Sequence, residues 1–83
     1  MSNVLFVEDD PVFLKMVTTF LERKGFAVAA CSRFREAEKI IGQRTFDLLL
    51  LDYRLPDGTG LDVLQAARRQ QGHVPAVIMT SLN

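Results

Sequence analysis

The stretch Phe46-Asp47-Leu48-Leu49-Leu50-Leu51-Asp52 is the most apolar part of the chain, and it decides the fold class. It is too short for a typical helix, and the turn-forming residues Leu55-Pro56-Asp57-Gly58 follow it closely. A short and almost wholly apolar segment is typical of a strand buried on both faces, as strands of a parallel sheet are. The stretch 46–52 therefore predicts a central parallel strand that ends at Asp52.

Three further segments share this short, apolar character, and they are Val4–Val7, Phe26–Cys31 and Ala76–Met79. Segments with apolar residues at helical spacing separate them. Strands that alternate with helices are joined by right-handed crossovers into a parallel sheet covered on both faces. The sequence therefore predicts an α/β, doubly wound fold in the order strand, helix, strand, helix, strand, helix, strand.

The start of each predicted helix has a recognisable signal. Asp10 is expected to cap the first helix, because Pro11 is well tolerated at a first helical position. Ser32 is expected to cap the second helix. Thr59 and Asp62 have the spacing of a capping box and predict the start of the third.

The apolar residues of the first helix recur as a stripe at helical spacing, and Gly25 and Gly72 mark the ends of the first and third helices. That stripe comprises Val12, Phe13, Met16, Val17, Phe20 and Leu21. All the phenylalanines lie on predicted strands or helix stripes, so they are expected in the core: Phe6, Phe13, Phe20, Phe26, Phe34 and Phe46.

Length and composition limit what the chain is able to be. Its 83 residues allow one domain, and 48% hydrophobic with 24% charged residues is ordinary globular usage. The formal net charge of zero argues against binding nucleic acid through this segment. The single cysteine, Cys31, has no partner within the chain and is expected to be a small buried residue, and the apolar runs are far shorter than a membrane span. We expect a cytoplasmic protein that does not bind a membrane.

Three carboxylates stand at the ends of two predicted strands. Glu8 and Asp9 follow the first strand, and Asp52 ends the third. In a doubly wound sheet these strands are neighbours, and ligands bind beyond their carboxyl ends. Three clustered anions must either protonate or bind a cation, and Mg²⁺ prefers oxygen ligands of this kind. The sequence therefore predicts a Mg²⁺ site formed by these acids, whereas Asp10 is read as a helix cap.

The position of Asp52, apart from the other two acids, indicates a second role. A carboxylate can act as a covalent nucleophile towards phosphorus while a metal neutralises charge on the phosphoryl oxygens. Asp52 is therefore the candidate phosphoacceptor. Thr80 and Ser81 follow the fourth strand, so that a hydroxyl is expected within reach of a phosphoryl group on Asp52. The role of Ser81 is left open, since it also fits an ordinary loop hydroxyl.

Three blocks of sequence resemble the receiver domains of bacterial two-component response regulators. They stand in the family's order and at matching strand ends: Leu5-Phe6-Val7-Glu8-Asp9-Asp10-Pro11, Leu50-Leu51-Asp52-Tyr53-Arg54-Leu55-Pro56-Asp57-Gly58-Thr59-Gly60-Leu61 and Val77-Ile78-Met79-Thr80-Ser81. The resemblance implies a flavodoxin-like sheet with strand order 2-1-3-4-5. It also implies that a histidine kinase or phosphotransfer protein is the partner and that Asp52 is phosphorylated.

The resemblance assigns further roles within the site. It implies that Glu8, Asp9 and Asp52 hold Mg²⁺ and that Arg54 contributes its backbone carbonyl to the metal. It makes Thr80 the switch hydroxyl and places Ser81, as a possible phosphoryl contact, beside it. The resemblance also implies a phosphoacceptor signalling domain that takes part in its own phosphorylation, and not a separate enzyme.

One feature departs from the family pattern. The family carries a lysine at the end of a fifth strand, whereas Lys15, Lys24 and Lys39 all fall on predicted helices. Residues 1–83 are therefore expected to form a single truncated receiver domain, an incomplete flavodoxin-like sheet without the fifth strand and its flanking helices. We expect the truncation to impair the switch that reports phosphorylation.

Other functions were weighed against the same residues. An aspartyl-phosphate hydrolase of the common type needs a second acid two positions after the nucleophile, and Arg54 stands there. The glycines of Gly58-Thr59-Gly60 do not follow the first strand, so a dinucleotide site fits poorly. The stronger alternative is a receiver-like interaction module that is never phosphorylated. Such a module is expected to associate with itself through the edge of the fourth strand or by exchange of elements.

Overall fold

The computed structural model describes residues 2–80, which form six strands and three helices. The elements are β1 (Asn3–Val7), α1 (Pro11–Arg23), β2 (Ala27–Cys31), α2 (Phe34–Ile41), β3 (Leu48–Asp52), β4 (Arg54–Leu55), β5 (Gly58–Thr59), α3 (Gly60–Gln71) and β6 (Ala76–Met79). The predicted strands correspond to β1, β2, β3 and β6; all four end at the expected residue, and their first residues differ from the expected ones by at most two positions. The expected alternation of strands and helices is therefore confirmed.

The main sheet is parallel and has the strand order β2-β1-β3-β6. Phe6 pairs with Ala30 of β2 and with Leu50 of β3, and Leu50 in turn pairs with Val77 of β6. The chain thus runs outward from β1 to β2 and returns past β1 to β3 and β6. This is the expected α/β, flavodoxin-like arrangement, and it brings the ends of β1 and β3 side by side.

Successive residues of the central strands point to opposite faces of the sheet, as the period of a strand requires. Leu5 and Val7 belong to the apolar cluster that includes residues of α2 and α3. Phe6 faces the other way, and its ring meets that of Phe13 on α1 edge-on, with a centroid distance of 6.3 Å. Val4–Val7 of β1 is buried on both faces as a result, which explains why this part of the strand is an unbroken apolar run.

Only part of the apolar stripe of α1 faces the core, and the core position expected for Phe20 is wrong. Phe13, Val17 and Leu21 are half-buried, but Val12, Met16 and Phe20 lie on the outer side of the helix, where Phe20 is 58% exposed. Phe20 is therefore not a core residue, although Phe6 and Phe46 are buried and Phe13, Phe26 and Phe34 are half-buried. The difference arises because one helix presents only part of its circumference to the sheet, so a wide apolar band leaves one side open.

The first and third helices begin as expected. The Oδ1 atom of Asp10 accepts hydrogen bonds from the amides of Val12 at 3.0 Å and Phe13 at 3.3 Å. The Oγ1 atom of Thr59 accepts from the Asp62 amide at 3.2 Å, while the Asp62 carboxylate accepts from the Thr59 amide at 2.9 Å. The capping box predicted for α3 is therefore confirmed.

The cap expected for α2 is wrong. Arg33 stands at the N-cap position in place of Ser32, and within residues 2–80 the Arg33 side chain makes no capping hydrogen bond. The amides of Phe34 and Arg35 instead donate to the carboxylate of Asp57, which lies far along the chain. Ser32 hydrogen-bonds to Glu36 through its amide and its hydroxyl. Ser32 was the only local candidate, whereas the carboxylate that caps α2 becomes a neighbour only when the chain folds.

The turn expected at Leu55-Pro56-Asp57-Gly58 is a small antiparallel hairpin. Arg54 pairs with Thr59, and Leu55 pairs with Gly58, so that Pro56 and Asp57 form the turn between β4 and β5. Gly25 and Gly72, the expected helix ends, both have positive φ angles of 97° and 84°. Only glycine adopts this conformation without strain, which is why it stands there.

The helices of the described segment do not resemble membrane spans. Within residues 2–80 no helix combines the length and the apolar character needed to cross a bilayer.

Candidate functional site

The carboxyl ends of β1, β3 and β6 lie side by side because of the strand register. Val7 pairs with Leu51, so the residues that follow them, Glu8 and Asp52, stand at the same level of the sheet. Asp52 in turn pairs with Met79, and Thr80 comes next in the chain. The sheet topology therefore brings together the ends of strands that are far apart in sequence.

The three predicted acids form one cluster. Glu8, Asp9 and Asp52 each offer a carboxylate oxygen, and these oxygens all lie within 4.8 Å of one another. Glu8 and Asp52 are each only 8% exposed, whereas Asp9 is exposed. The expected convergence of these carboxylates is present in the fold.

Backbone amides hold two of the carboxylates in place. The Oε2 atom of Glu8 accepts a hydrogen bond of 3.0 Å from the Asp10 amide. The Oδ1 atom of Asp52 accepts from the Arg54 amide at 3.4 Å, and the Glu8 amide donates to the Cys31 carbonyl at 3.0 Å. The acids therefore stand on a backbone that is itself hydrogen-bonded to the sheet.

Burial and mutual repulsion raise the proton affinity of the two buried acids. Burial raises the pKa of Glu8 from 4.5 to about 7, and the charge of Asp52 adds to this effect, although the amide of Asp10 opposes it. Burial and hydrogen bonding with Asp9 raise the pKa of Asp52 above its usual value, although Glu8 and the Arg54 amide oppose the rise. The cluster is therefore electrostatically strained at neutral pH.

The donor set fits Mg²⁺. The cleft at this end of the sheet is lined by Glu8, Asp9, Asp10, Phe13, Asp52, Met79 and Thr80, so no basic side chain of the described segment lines it. No basic group is among the causes that shift the pKa of Glu8 or Asp52 either. A hard divalent cation with carboxylate and water ligands relieves such a cluster. The predicted ligands Glu8, Asp9 and Asp52 therefore suit the ion.

The cleft has a volume of about 390 Å³ and is open to solvent on one side. Thr80 lines it together with Asp52, so the hydroxyl and the predicted phosphoacceptor share one cleft. Arg54, the first residue of β4, donates a hydrogen bond from its amide to the Asp52 carboxylate. The metal-binding role of the Arg54 carbonyl stays a prediction. Ser81, the other predicted hydroxyl, lies outside the described residues.

One neighbour of Asp52 has no signal in the sequence beyond its residue type. At Gly60 an added Cβ atom would stand 2.6 Å from the Asp52 carbonyl oxygen and 3.2 Å from the Leu51 Cβ. The Gly60 amide also donates to the Tyr53 carbonyl at 2.9 Å. Glycine is thus required here by the close packing of α3 against the end of β3, and not by a positive φ.

Cys31 behaves as expected for a small buried side chain. It ends β2 and is 7% exposed, and burial raises the pKa of its thiol to about 11. Such a thiol is a poor nucleophile at neutral pH.

The family comparison identifies receiver domains. The family model described as "Response regulator receiver domain" matches residues 4–83. Among curated proteins, the transcriptional activator protein PfeR of Pseudomonas aeruginosa is 37% identical over 80 residues, which cover 96% of this chain and 26% of PfeR. The chain spans between 18% and 36% of the length of the first curated relatives that it matches.

Solved structures show the same fold. A response regulator from Burkholderia pseudomallei with a phosphorylated aspartic acid, a calcium ion and citrate superposes with a TM-score of 0.89 at 26% identity, and the match covers all of this chain and 49% of that one. The receiver domain of the sensor histidine kinase PA1611 from Pseudomonas aeruginosa, with magnesium coordinated in the active site cleft, gives 0.87 at 26% identity. That match covers 98% of this chain and 68% of the PA1611 domain.

Proposed function

The chain belongs to the family of response regulator receiver domains, and on that premise we propose that Asp52 accepts a phosphoryl group from a histidine kinase or phosphotransfer protein in a Mg²⁺-dependent reaction. The observation that carries the proposal is the cluster of Glu8, Asp9 and Asp52 at adjacent strand ends. In the relatives, one structure contains a phosphorylated aspartic acid and another a magnesium ion in its cleft.

The chemistry proposed for Asp52 is nucleophilic substitution at phosphorus. A carboxylate oxygen of Asp52 attacks the phosphorus of a phosphohistidine, an oxygen–phosphorus bond forms, and the phosphorus–nitrogen bond breaks with its electron pair left on the imidazole. The attacking carboxylate must be ionised. The Arg54 amide favours that ionised form, whereas burial opposes it.

Glu8 and Asp9 would hold the metal together with Asp52, and Arg54 would contribute its carbonyl. When bound, Mg²⁺ neutralises charge on the phosphoryl oxygens and on the acid cluster. Glu8 must lose its proton to become a ligand, so we expect metal affinity to rise as the pH rises through about 7.

We further propose that Thr80 is the switch hydroxyl of the site. Thr80 lines the cleft beside Asp52. The lysines lie elsewhere: Lys15 is in α1, Lys24 is its C-cap, and Lys39 is in α2. None of these lysines is among the residues that line the cleft.

Incubation with Mg²⁺ and acetyl phosphate, read by intact mass, tests the phosphoacceptor. We expect one phosphoryl adduct on the wild-type chain and none on Asp52→Ala. Asp47→Asn is the matched control, because Asp47 precedes the same strand at its opposite end and its Oδ2 atom accepts from the Asn3 amide at 2.7 Å. Beryllofluoride, followed by spectroscopy, is a second probe. Absence of any Asp52-dependent change with both probes would contradict the proposal and favour the alternative below.

As a phosphoacceptor signalling domain, the segment would take part in its own phosphorylation and would not be an enzyme with a separate substrate. By its family it is expected to act in the cytoplasm.

A second candidate function is self-association without phosphorylation. Two observations favour it. β6 is the last strand of the sheet among residues 2–80, so its outer backbone groups are unpaired there. Ala76–Met79 contains no charged residue, and Val77 is 49% exposed. Charged side chains commonly protect sheet edges, and an edge without them can pair with a second copy.

Sedimentation over a range of concentrations tests this candidate. We expect a concentration-dependent dimer that Val77→Lys weakens, because a lysine at the edge opposes strand pairing. Thr19→Lys on α1 is the control for added charge elsewhere. A compact monomer at every concentration would rule out self-association.

A further inference from the structure

Asp57 links the β4–β5 hairpin to the start of α2 through hydrogen bonds. It stands in the turn of the β4–β5 hairpin, and its carboxylate accepts hydrogen bonds from the amides of Phe34 at 2.7 Å and Arg35 at 3.0 Å. These are the first amides of α2, and the first amides of a helix have no intrahelical acceptor. A carboxylate is a favourable acceptor there because the N-terminus of a helix carries partial positive charge.

The hairpin that Asp57 holds leads directly to the phosphoacceptor. Arg54, the first residue of β4, donates its amide to the Asp52 carboxylate at 3.4 Å. Arg54 pairs with Thr59 across the hairpin, and Thr59 is tied to α3 through the capping box. A shift of the hairpin would therefore move the Arg54 amide and carbonyl relative to Asp52.

Packing shows how closely the hairpin and α2 approach each other. A Cβ atom added at Gly58 would lie 3.1 Å from the Cβ of Phe34, the first residue of α2. Glycine therefore allows the hairpin to lie against the helix, and the two hydrogen bonds of Asp57 hold it there. Asp57 itself is exposed, so its carboxylate adds little to the buried core.

We propose that Asp57 is a positioning residue for the Asp52 site, because its carboxylate anchors the β4–β5 hairpin to the start of α2 and so sets the place of the Arg54 backbone beside Asp52. The role in metal binding rests on the proposed function, whereas the effect on the Arg54 backbone does not. Asp57 acts through this backbone and does not touch the cleft, whose lining residues do not include it.

Three variants separate positioning from a general effect on folding. Asp57→Ala removes both acceptor oxygens, and Asp57→Asn keeps one. Asp47→Ala is the matched control, because Asp47 is also an exposed acid that bonds a distant backbone amide, but at the other end of the sheet. Far-UV circular dichroism and thermal unfolding establish that each variant is folded.

Two readouts report on the site. Tyr53 is the only tyrosine of a chain without tryptophan and follows Asp52, so we expect its fluorescence to change when Mg²⁺ binds. Residues that orient metal ligands without contacting the metal commonly affect metal affinity. We therefore expect the affinity for Mg²⁺ to fall about tenfold in Asp57→Ala, to fall less in Asp57→Asn and to stay unchanged in Asp47→Ala. Amide hydrogen exchange, measured by NMR without metal, is expected to be faster at Arg54 in Asp57→Ala and unchanged at Phe6.

The outcomes distinguish the two proposals. If the wild-type chain binds no Mg²⁺, the proposed metal site is wrong. The rate of amide hydrogen exchange at Arg54 then decides by itself whether Asp57 positions the β4–β5 hairpin. If Phe34 and Arg35 exchange faster in Asp57→Ala while Arg54 exchange and Mg²⁺ affinity stay at wild-type values, the positioning role is overturned.

Discussion

Replacing Glu8 by glutamine is expected to stabilise the metal-free protein. Glu8 is buried beside Asp52, and its pKa is raised from 4.5 to about 7. Between about pH 4.5 and 7 the folded state therefore keeps a proton on Glu8 that the unfolded state has lost. The stability linked to this proton is fully present below about pH 4.5 and is lost as the pH rises through about 7. Glutamine has nearly the same shape, still accepts from the Asp10 amide and never ionises.

The magnitude follows from the size of the shift. A rise in pKa from 4.5 to about 7 corresponds to roughly 3 kcal/mol of lost stability once Glu8 is ionised. Solvent in the open cleft screens part of this, so we expect Glu8→Gln to gain on the order of 1 to 3 kcal/mol at about pH 8 without divalent metal. At about pH 5 the folded wild-type side chain is protonated too, and the gain is expected to shrink to a small fraction of its value at about pH 8, because only ionisation of the unfolded state still contributes.

The assay is urea unfolding followed by far-UV circular dichroism, in EDTA and in excess Mg²⁺, at both pH values. Mg²⁺ should reverse the order at about pH 8, because a ligand that binds only the folded state stabilises wild-type protein more than a variant with a damaged site. Asp47→Asn, which changes an exposed acid at the opposite end of the sheet, should show no comparable gain. If Glu8→Gln is less stable than wild type in EDTA at about pH 8, or gains equally at both pH values, the electrostatic account of the cluster is wrong.

Three further outcomes follow from local geometry. Gly60→Ala should lose on the order of 1 to 3 kcal/mol in urea unfolding, because its Cβ would stand 2.6 Å from the Asp52 carbonyl oxygen. Gly42→Ala, whose Cβ would meet its nearest neighbour at 3.5 Å, is the control, and an equal loss there would contradict this reasoning. Cys31 should react with iodoacetamide far more slowly in the native protein than in urea at neutral pH, since burial raises its pKa to about 11; rapid native alkylation would show that the site opens. Thr59→Ala should lower thermal stability by about 1 kcal/mol through loss of the capping box, while Thr59→Ser should not, and equal losses would exclude the hydroxyl as the cause.

Most of the candidate site was predictable from the sequence. Glu8, Asp9 and Asp52 follow short apolar strands, and parallel strands end at one edge of a sheet, so their convergence follows once the strand order is known. Thr80 follows the neighbouring strand β6, so the same argument predicts its position at this edge of the sheet. The Gly60 contact was not predictable, because a glycine next to a capping box has several possible reasons, and only the approach of α3 to the Asp52 carbonyl selects one.

The sequence by itself determined the type and order of the elements, because periodicity and capping are local properties of the chain. The parallel sheet and the acid cluster at its carboxyl edge follow from those elements. Only the tertiary structure decided which side of α1 meets the sheet, leaving Phe20 outside, and which carboxylate caps α2. Both outcomes depend on what lies opposite a residue after folding. The sheet covers only part of the helix, and Asp57 reaches the amides of Phe34 and Arg35 only because the hairpin lies against α2.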